Sequence, residues 1–262
     1  MRKKNNRSKH KIIVQKSLMN IIVVVTSIIM VSCSSAKAVK LLNKNNEAIQ
    51  GAIHKNVAYG SESRQWLNIY QAPSSEPTPI YIWAHANNHT ANNTREFVEY
   101  LEAAGISTIS WESLPNFKSP GAAEIIWADS EVMFQWVKDN AGKYNLDPGK
   151  IIIGGHSRGT VASWRLAHSL DPAIKGIYYI DAVLNMEISA LYDEIKADSP
   201  PIMITYWNTP ANPKKNVHDP NYGLAVEARY RELGIGNKAT IIHSLPYETL
   251  YDYIVDFCKS VL

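Results

Sequence analysis

The sequence has no internal repeat, no low-complexity tract, no glycine-rich nucleotide loop and no His, Cys, Asp or Glu spacing of the kind that holds a metal. Nothing in it therefore calls for a cofactor or a metal ion. With 45% hydrophobic and 19% charged residues, the 262-residue chain has material for one large core, which excludes a disordered or collagen-like chain. Acidic residues are missing from the first 32 positions, which hold seven of the 27 Lys and Arg; the rest of the chain is left with 20 against 24 Asp and Glu. That mildly acidic body excludes a nucleic-acid binder.

What the N-terminal region does have is a basic opening, Arg2 to Lys16, followed by an apolar stretch, Leu18 to Val31, broken only by Asn20, Thr26 and Ser27. The layout is that of a signal peptide over residues 1–32. An uncleaved anchor is the competing reading, but the run falls short of the roughly 20 apolar residues that span a bilayer. It stops at Met30-Val31-Ser32-Cys33, which resembles a bacterial lipobox, with Met where Leu is usual. The resemblance implies lipidation of Cys33 and membrane attachment through that lipid. Ser34 and Ser35, with no Asp, imply a cell-envelope location at the outer membrane facing the periplasm. Polar residues 33–47 then read as a tether, and 48–262 as the folded domain. With Cys33 consumed, no intramolecular disulfide can form in the mature chain, and Cys258, among Ile254, Val255, Phe257 and Val261, reads as a core residue.

Within the body, short apolar runs alternate with segments of helical period. Strands are expected at Pro79–Trp83, Ser107–Ser110, Lys150–Gly154, Gly176–Ile180, Pro201–Tyr206 and Ala239–His243. Helices are expected at 94–104, 122–143, 159–169, 186–196, 222–233 and 249–261. Such alternation demands a mostly parallel sheet with helices on both faces, and Asn56–Tyr59 with Gln65–Tyr70 fit an antiparallel pair at its edge. Trp127, Trp136 and Trp164 read as sheet-to-helix packing. His89, Asp129 and His168 read as loop, helix-surface and helix residues.

Between one strand and the next helix stands Gly155-His156-Ser157-Arg158-Gly159. A turn that tight strains its central Ser, and the positions two before and two after it must be small; both are Gly here. The Ser hydroxyl then projects above the sheet beside a helix N-terminus whose N–H groups can meet a developing oxyanion. With Val57–Gly60 and Leu67–Pro73 upstream and Trp136–Pro148 before the motif, the chain resembles the α/β-hydrolases. Within them it resembles the carboxylesterase type related to hormone-sensitive lipases and to bacterial acetyl and feruloyl esterases. The resemblance implies an α/β fold with about eight strands and a serine nucleophile.

It also implies an oxyanion loop after the third strand. Where those esterases have His-Gly-Gly-Gly, this chain has His85-Ala86-Asn87-Asn88. Asn is the non-glycine residue that best tolerates positive φ, so the loop geometry can be kept, and by position the resemblance implies Ala86, Asn87 and Arg158 as the N–H donors. A serine needs a base and an orienting acid, in the chain order Ser, acid, His. His243 is the expected base, although the usual position falls at Tyr247; His218 is a second imidazole that could reach the site. Asp219 and Asp181 are equal candidates for the acid. About 20 residues between Asp181 and Pro201 leave no room for a large lid, which suits short acyl esters or acyl groups on a sugar polymer. The expected function is hydrolysis of a small-molecule ester through an acyl-enzyme on Ser157. The alternative is a catalytically impaired binding protein of the same fold.

Overall fold

The computed structural model describes residues 51–184, 189–210 and 217–262. The expected signal segment, Cys33 and the tether lie outside the described residues, as do 186–188 of the expected helix 186–196.

The described elements run β1 (Ile53–Ala58), β2 (Trp66–Tyr70), β3 (Thr78–Ala84), α1 (Arg95–Ala103), β4 (Ser107–Trp111), α2 (Ala122–Asn140) and β5 (Leu146–His156). They continue with α3 (Arg158–Ala167), β6 (Ile174–Ile180), α4 (Ser189–Tyr192), β7 (Ile202–Thr205), α5 (Asn221–Glu232), β8 (Ala239–Ile242) and α6 (Leu250–Val261). One eight-stranded sheet results, in the order β1-β2-β4-β3-β5-β6-β7-β8. β2 pairs antiparallel with both β1 and β4, and all other pairs are parallel.

The central strands are apolar on both sides because both sides are covered. Ile151, Ile152 and Ile153 are all fully buried, as are Ile80, Tyr81 and Ile82 alongside them. On one face Ile80, Ile82, Ile151 and Ile153 pack with Ile126 and Met133 of α2 and Trp164 of α3. On the other, Tyr81, Ile152 and Tyr178 pack with Leu101 of α1 and Ile254, Phe257 and Cys258 of α6. Cys258 is fully buried, and burial raises its thiol pKa.

The tryptophans do pack. Trp164 is fully buried and donates to the Leu191 carbonyl at 2.9 Å. Trp127 donates to the Val161 carbonyl at 2.8 Å and carries the Arg165 guanidinium over its ring. Asp129 is a correction: it lies not on the surface of α2 but buried, its carboxylate accepting from Arg64 (2.8 Å), Gln65 (2.7 Å) and Ser113 (2.5 Å). A carboxylate out of water needs such donors, and these tie the turn before β2 and the chain after β4 to α2.

Candidate active site

β5 runs straight into the turn. Ser157 has φ 52° and ψ −116°, a left-handed backbone that costs a non-glycine residue on the order of 1–3 kcal/mol. Its surroundings hold it there. The Ser157 N–H donates to the Ile180 carbonyl at 3.0 Å, and its own carbonyl accepts from Thr160 at 3.0 Å as α3 begins. A Cβ on Gly155 would come within 2.7 Å of the Gly159 backbone, and one on Gly159 would overlap the Ala84 carbonyl oxygen. Both glycines are therefore required by close approach, and the second sets the start of α3 against the end of β3.

The Ser157 hydroxyl lies 2.8 Å from Nε2 of His218. His218 stands after β7, and partial burial moves its pKa below the ordinary imidazole value. The His156 ring stacks alongside it, with centroids 6.5 Å apart and planes 25° apart, and meets Trp207 edge-on at 5.4 Å. Burial first, then the neighbouring His218 and His89, lowers the His156 pKa to about 4. His156 is thus neutral at neutral pH and adds no charge beside His218.

His243 is the second correction: the imidazole brought to Ser157 is that of His218, not His243. Side chains alternate along β8, so His243 falls on the side of Ile241, where its ring stacks on Tyr206 at 6.0 Å and α5 packs. Among the described residues neither Asp181 nor Asp219 pairs with His243. Asp219 instead accepts from the Asn221 backbone and side chain, both at 2.9 Å, and shapes the start of α5. Asp181 is buried at the end of β6 with φ 44°; its carboxylate accepts the Trp207 N–H at 3.2 Å, and burial raises its pKa to about 6. Tyr247 is exposed, its hydroxyl 3.0 Å from that of Tyr251 and its ring 6.2 Å from Trp207.

Ala86 is buried and Asn87 exposed in the loop after β3, and Asn88 takes φ 61°, the positive value its residue type tolerates. Arg158 opens α3 with its side chain buried. Its guanidinium donates to the Leu114 carbonyl and lies 5.4 Å from the centre of the Phe117 ring, so the side chain braces the chain after β4. Sequence reasoning passes over Trp207, His156 and Glu112. His156 occupies the variable place inside the glycine motif, and Glu112 is a carboxylate directly after a strand with every residue buried, a position that asks for a partner. Among the described residues no group of His, Cys, Asp and Glu could hold a metal ion.

No family model matches the chain, and no curated protein matches it in sequence. Solved structures do. A truncated carbohydrate esterase from gut microbiota superposes with a TM-score of 0.63 at 17% identity, covering 80% of this chain and 95% of that one. Esterase 2 of Thermogutta terrifontis, phosphorylated by paraoxon, gives 0.61 at 14% identity, with 84% and 98% covered. S-formylglutathione hydrolase of Staphylococcus aureus gives 0.60 at 11% identity, with 84% and 99% covered. At these identities the likeness concerns architecture. Strand order, the strand–Ser157–helix turn and these neighbours together give the chain the α/β-hydrolase fold.

Proposed function

We propose that this chain is a serine ester hydrolase in which Ser157 is the nucleophile and His218 the base. The observation that carries the reading is the 2.8 Å contact between the hydroxyl of a strained, glycine-flanked serine and an imidazole. In the proposed cycle the Ser157 proton passes to His218 Nε2 as Oγ bonds to the ester carbonyl carbon. The carbonyl oxygen becomes an oxyanion beside the N–H of Arg158 and those of Ala86 and Asn87. As the carbon–oxygen bond to the alcohol breaks, His218 returns the proton to the departing alcohol. Water, deprotonated by His218, then releases the acid from the acyl-enzyme and restores Ser157. The orienting carboxylate is sought between Asp181 and Asp219. The binding-protein alternative draws on Asn87-Asn88 in the oxyanion loop and on Tyr247 at the usual position of the base; the 2.8 Å Ser157–His218 contact favours the esterase reading over it.

For the substrate we favour short acyl groups carried on a sugar. The rings of Trp207, Tyr247, Tyr251 and Tyr100 run outward from His156 with neighbouring centroids 5.1–6.2 Å apart, and Glu96 accepts from Tyr251 at 2.8 Å. Flat aromatic faces beside a carboxylate suit the apolar faces and hydroxyls of a sugar ring, and two solved neighbours carry carbohydrate-ester names. Lipid attachment at Cys33 and an outer-membrane location facing the periplasm complete the reading.

Hydrolysis of p-nitrophenyl acetate, with mass-spectrometric mapping of organophosphate label to Ser157, tests the chemistry. No turnover and no label would end the esterase reading. Acetylated xylan against the chromogenic ester, in wild type and Trp207→Ala, tests the sugar: a raised KM confined to xylan is expected. Fractionation of cells carrying Cys33→Ser tests the anchor, since the protein should leave the membrane fraction.

A further inference from the structure

The loop from His85 to Ala91 holds two of the three proposed oxyanion donors, and its tip, 87–90, is exposed. Bonds local to the loop hold the N–H groups of His89, on the Ala86 carbonyl at 3.2 Å, and of Thr90, on Asn93 Oδ1 at 2.8 Å, and leave its two ends to be fixed from outside. Both ends meet one side chain. Glu112, directly after β4 and 9% exposed, places Oε1 2.6 Å from His85 Nε2 and accepts the Ala91 N–H on Oε2 at 3.3 Å.

Glu112 is itself fixed through its backbone. Its N–H donates to the Trp66 carbonyl at 2.9 Å, and its carbonyl accepts the buried Tyr59 hydroxyl at 2.5 Å. Further bonds complete the frame. Asn68 donates to the Ala91 carbonyl at 3.0 Å, His85 Nδ1 lies 2.8 Å from the Ala86 carbonyl, and Gly159 abuts the carbonyls of Ala84 and His85. A carboxylate withdrawn from water is costly to keep, and this one spends both oxygens on the two ends of a single loop.

We propose that Glu112 is a positioning residue: through His85 and Ala91 it fixes the loop whose N–H groups face the oxyanion above Ser157. The inference rests on the esterase reading. It does not make Glu112 a catalytic residue, because its carboxylate touches the loop and not the reacting atoms. An interaction that matters chiefly when the oxyanion forms shows in kcat and leaves KM nearly unchanged.

The test uses the full chain with Glu112→Gln, which keeps the shape, against Asp129→Asn, a second buried carboxylate that does not touch the loop. For p-nitrophenyl acetate, Glu112→Gln should lower kcat about 10–100-fold with KM within about twofold, and slow phosphonylation of Ser157 in parallel. Asp129→Asn should lower the melting temperature while kcat of the folded protein stays near wild type. If Glu112→Gln does not fold, His85→Asn carries the same comparison, since it leaves the Glu112–Ala91 bond in place. An active wild type whose folded Glu112→Gln, or His85→Asn, retains kcat within about threefold overturns the clamp alone. A wild type with neither turnover nor Ser157 label overturns the clamp together with the esterase reading.

Discussion

Ser157 and His218 lie 2.8 Å apart, yet they are held in different ways. Ser157 sits between the strand β5, buried from Ile151 to Gly155, and the helix that follows directly, its N–H and carbonyl both bonded and its flanks pressed against neighbouring backbone. The demands of its turn are written within two places of it, in Gly155 and Gly159, although the backbone around it includes Ala84 of β3 and Ile180 of β6. His218 stands in the connection between β7 and α5, 61 positions further on, and reaches the serine only because β5, β6 and β7 lie side by side. Local geometry fixes the nucleophile; sheet order delivers the base.

Substitutions can break that contrast. The largest effect belongs to Ser157→Ala: ester turnover should fall by at least about 10³-fold, with the circular dichroism spectrum unchanged, because a small hydroxyl above the sheet contributes little to the core. Near wild-type turnover in that variant would sink the mechanism. The base comes next. His218→Ala should cost about 10³-fold in kcat, whereas His243→Ala, on the Tyr206 side of β8, should cost less than about tenfold. The reverse ranking would return the base to β8.

The local half of the comparison is sharpened by Gly159→Ala. Its Cβ would overlap the Ala84 carbonyl, a backbone atom that cannot swing aside, so a loss of about 3 kcal/mol in urea unfolding is expected. A variant as stable as wild type would mean that β3 and α3 can move apart.

The smallest effect is on pH dependence. His218 acts as base only when neutral, and burial lowers its pKa, so the acidic limb of kcat/KM should fall below the ordinary value of about 6.5. A limb above that value would point to another group. Stability should also decline with acidification. His156 and His168 stay neutral in the fold down to about 4, while the unfolded chain takes up these protons near 6.5, so their contribution is lost as pH falls between those values. Asp181, raised to about 6, opposes them over part of that window because the folded form holds its proton more tightly. Urea midpoints at pH 7 and pH 5 measure the net.

The same division explains what was legible in the sequence. Strand and helix positions could be read because runs such as Ile151–Ile153 have one stable environment, a sheet covered on both faces. Ser157 and its two glycines could be read because the steric demand is local. His243 misled for a related reason: it stands next to a strand end, the right region, but one residue of alternation decides its face. His218 could be proposed only as a second possibility, since no periodicity governs its connection. Asp129 looked like an exposed helix residue because its partners Arg64 and Gln65 arrive from the far edge of the sheet.

Cys258 offers a further use of the architecture. Its sulfur is sealed between α6 and the sheet, with Tyr81 and Tyr178 in the same cluster. In a chain carrying Cys33→Ser it is the sole thiol, and a dye can reach it only when the last helix lifts. The labelling rate then becomes a clock for that one event, separating departure of the helix from collapse of the sheet. It reads motion on the face of the sheet opposite the α2–α3 layer, in the same protein whose turnover reports on Ser157.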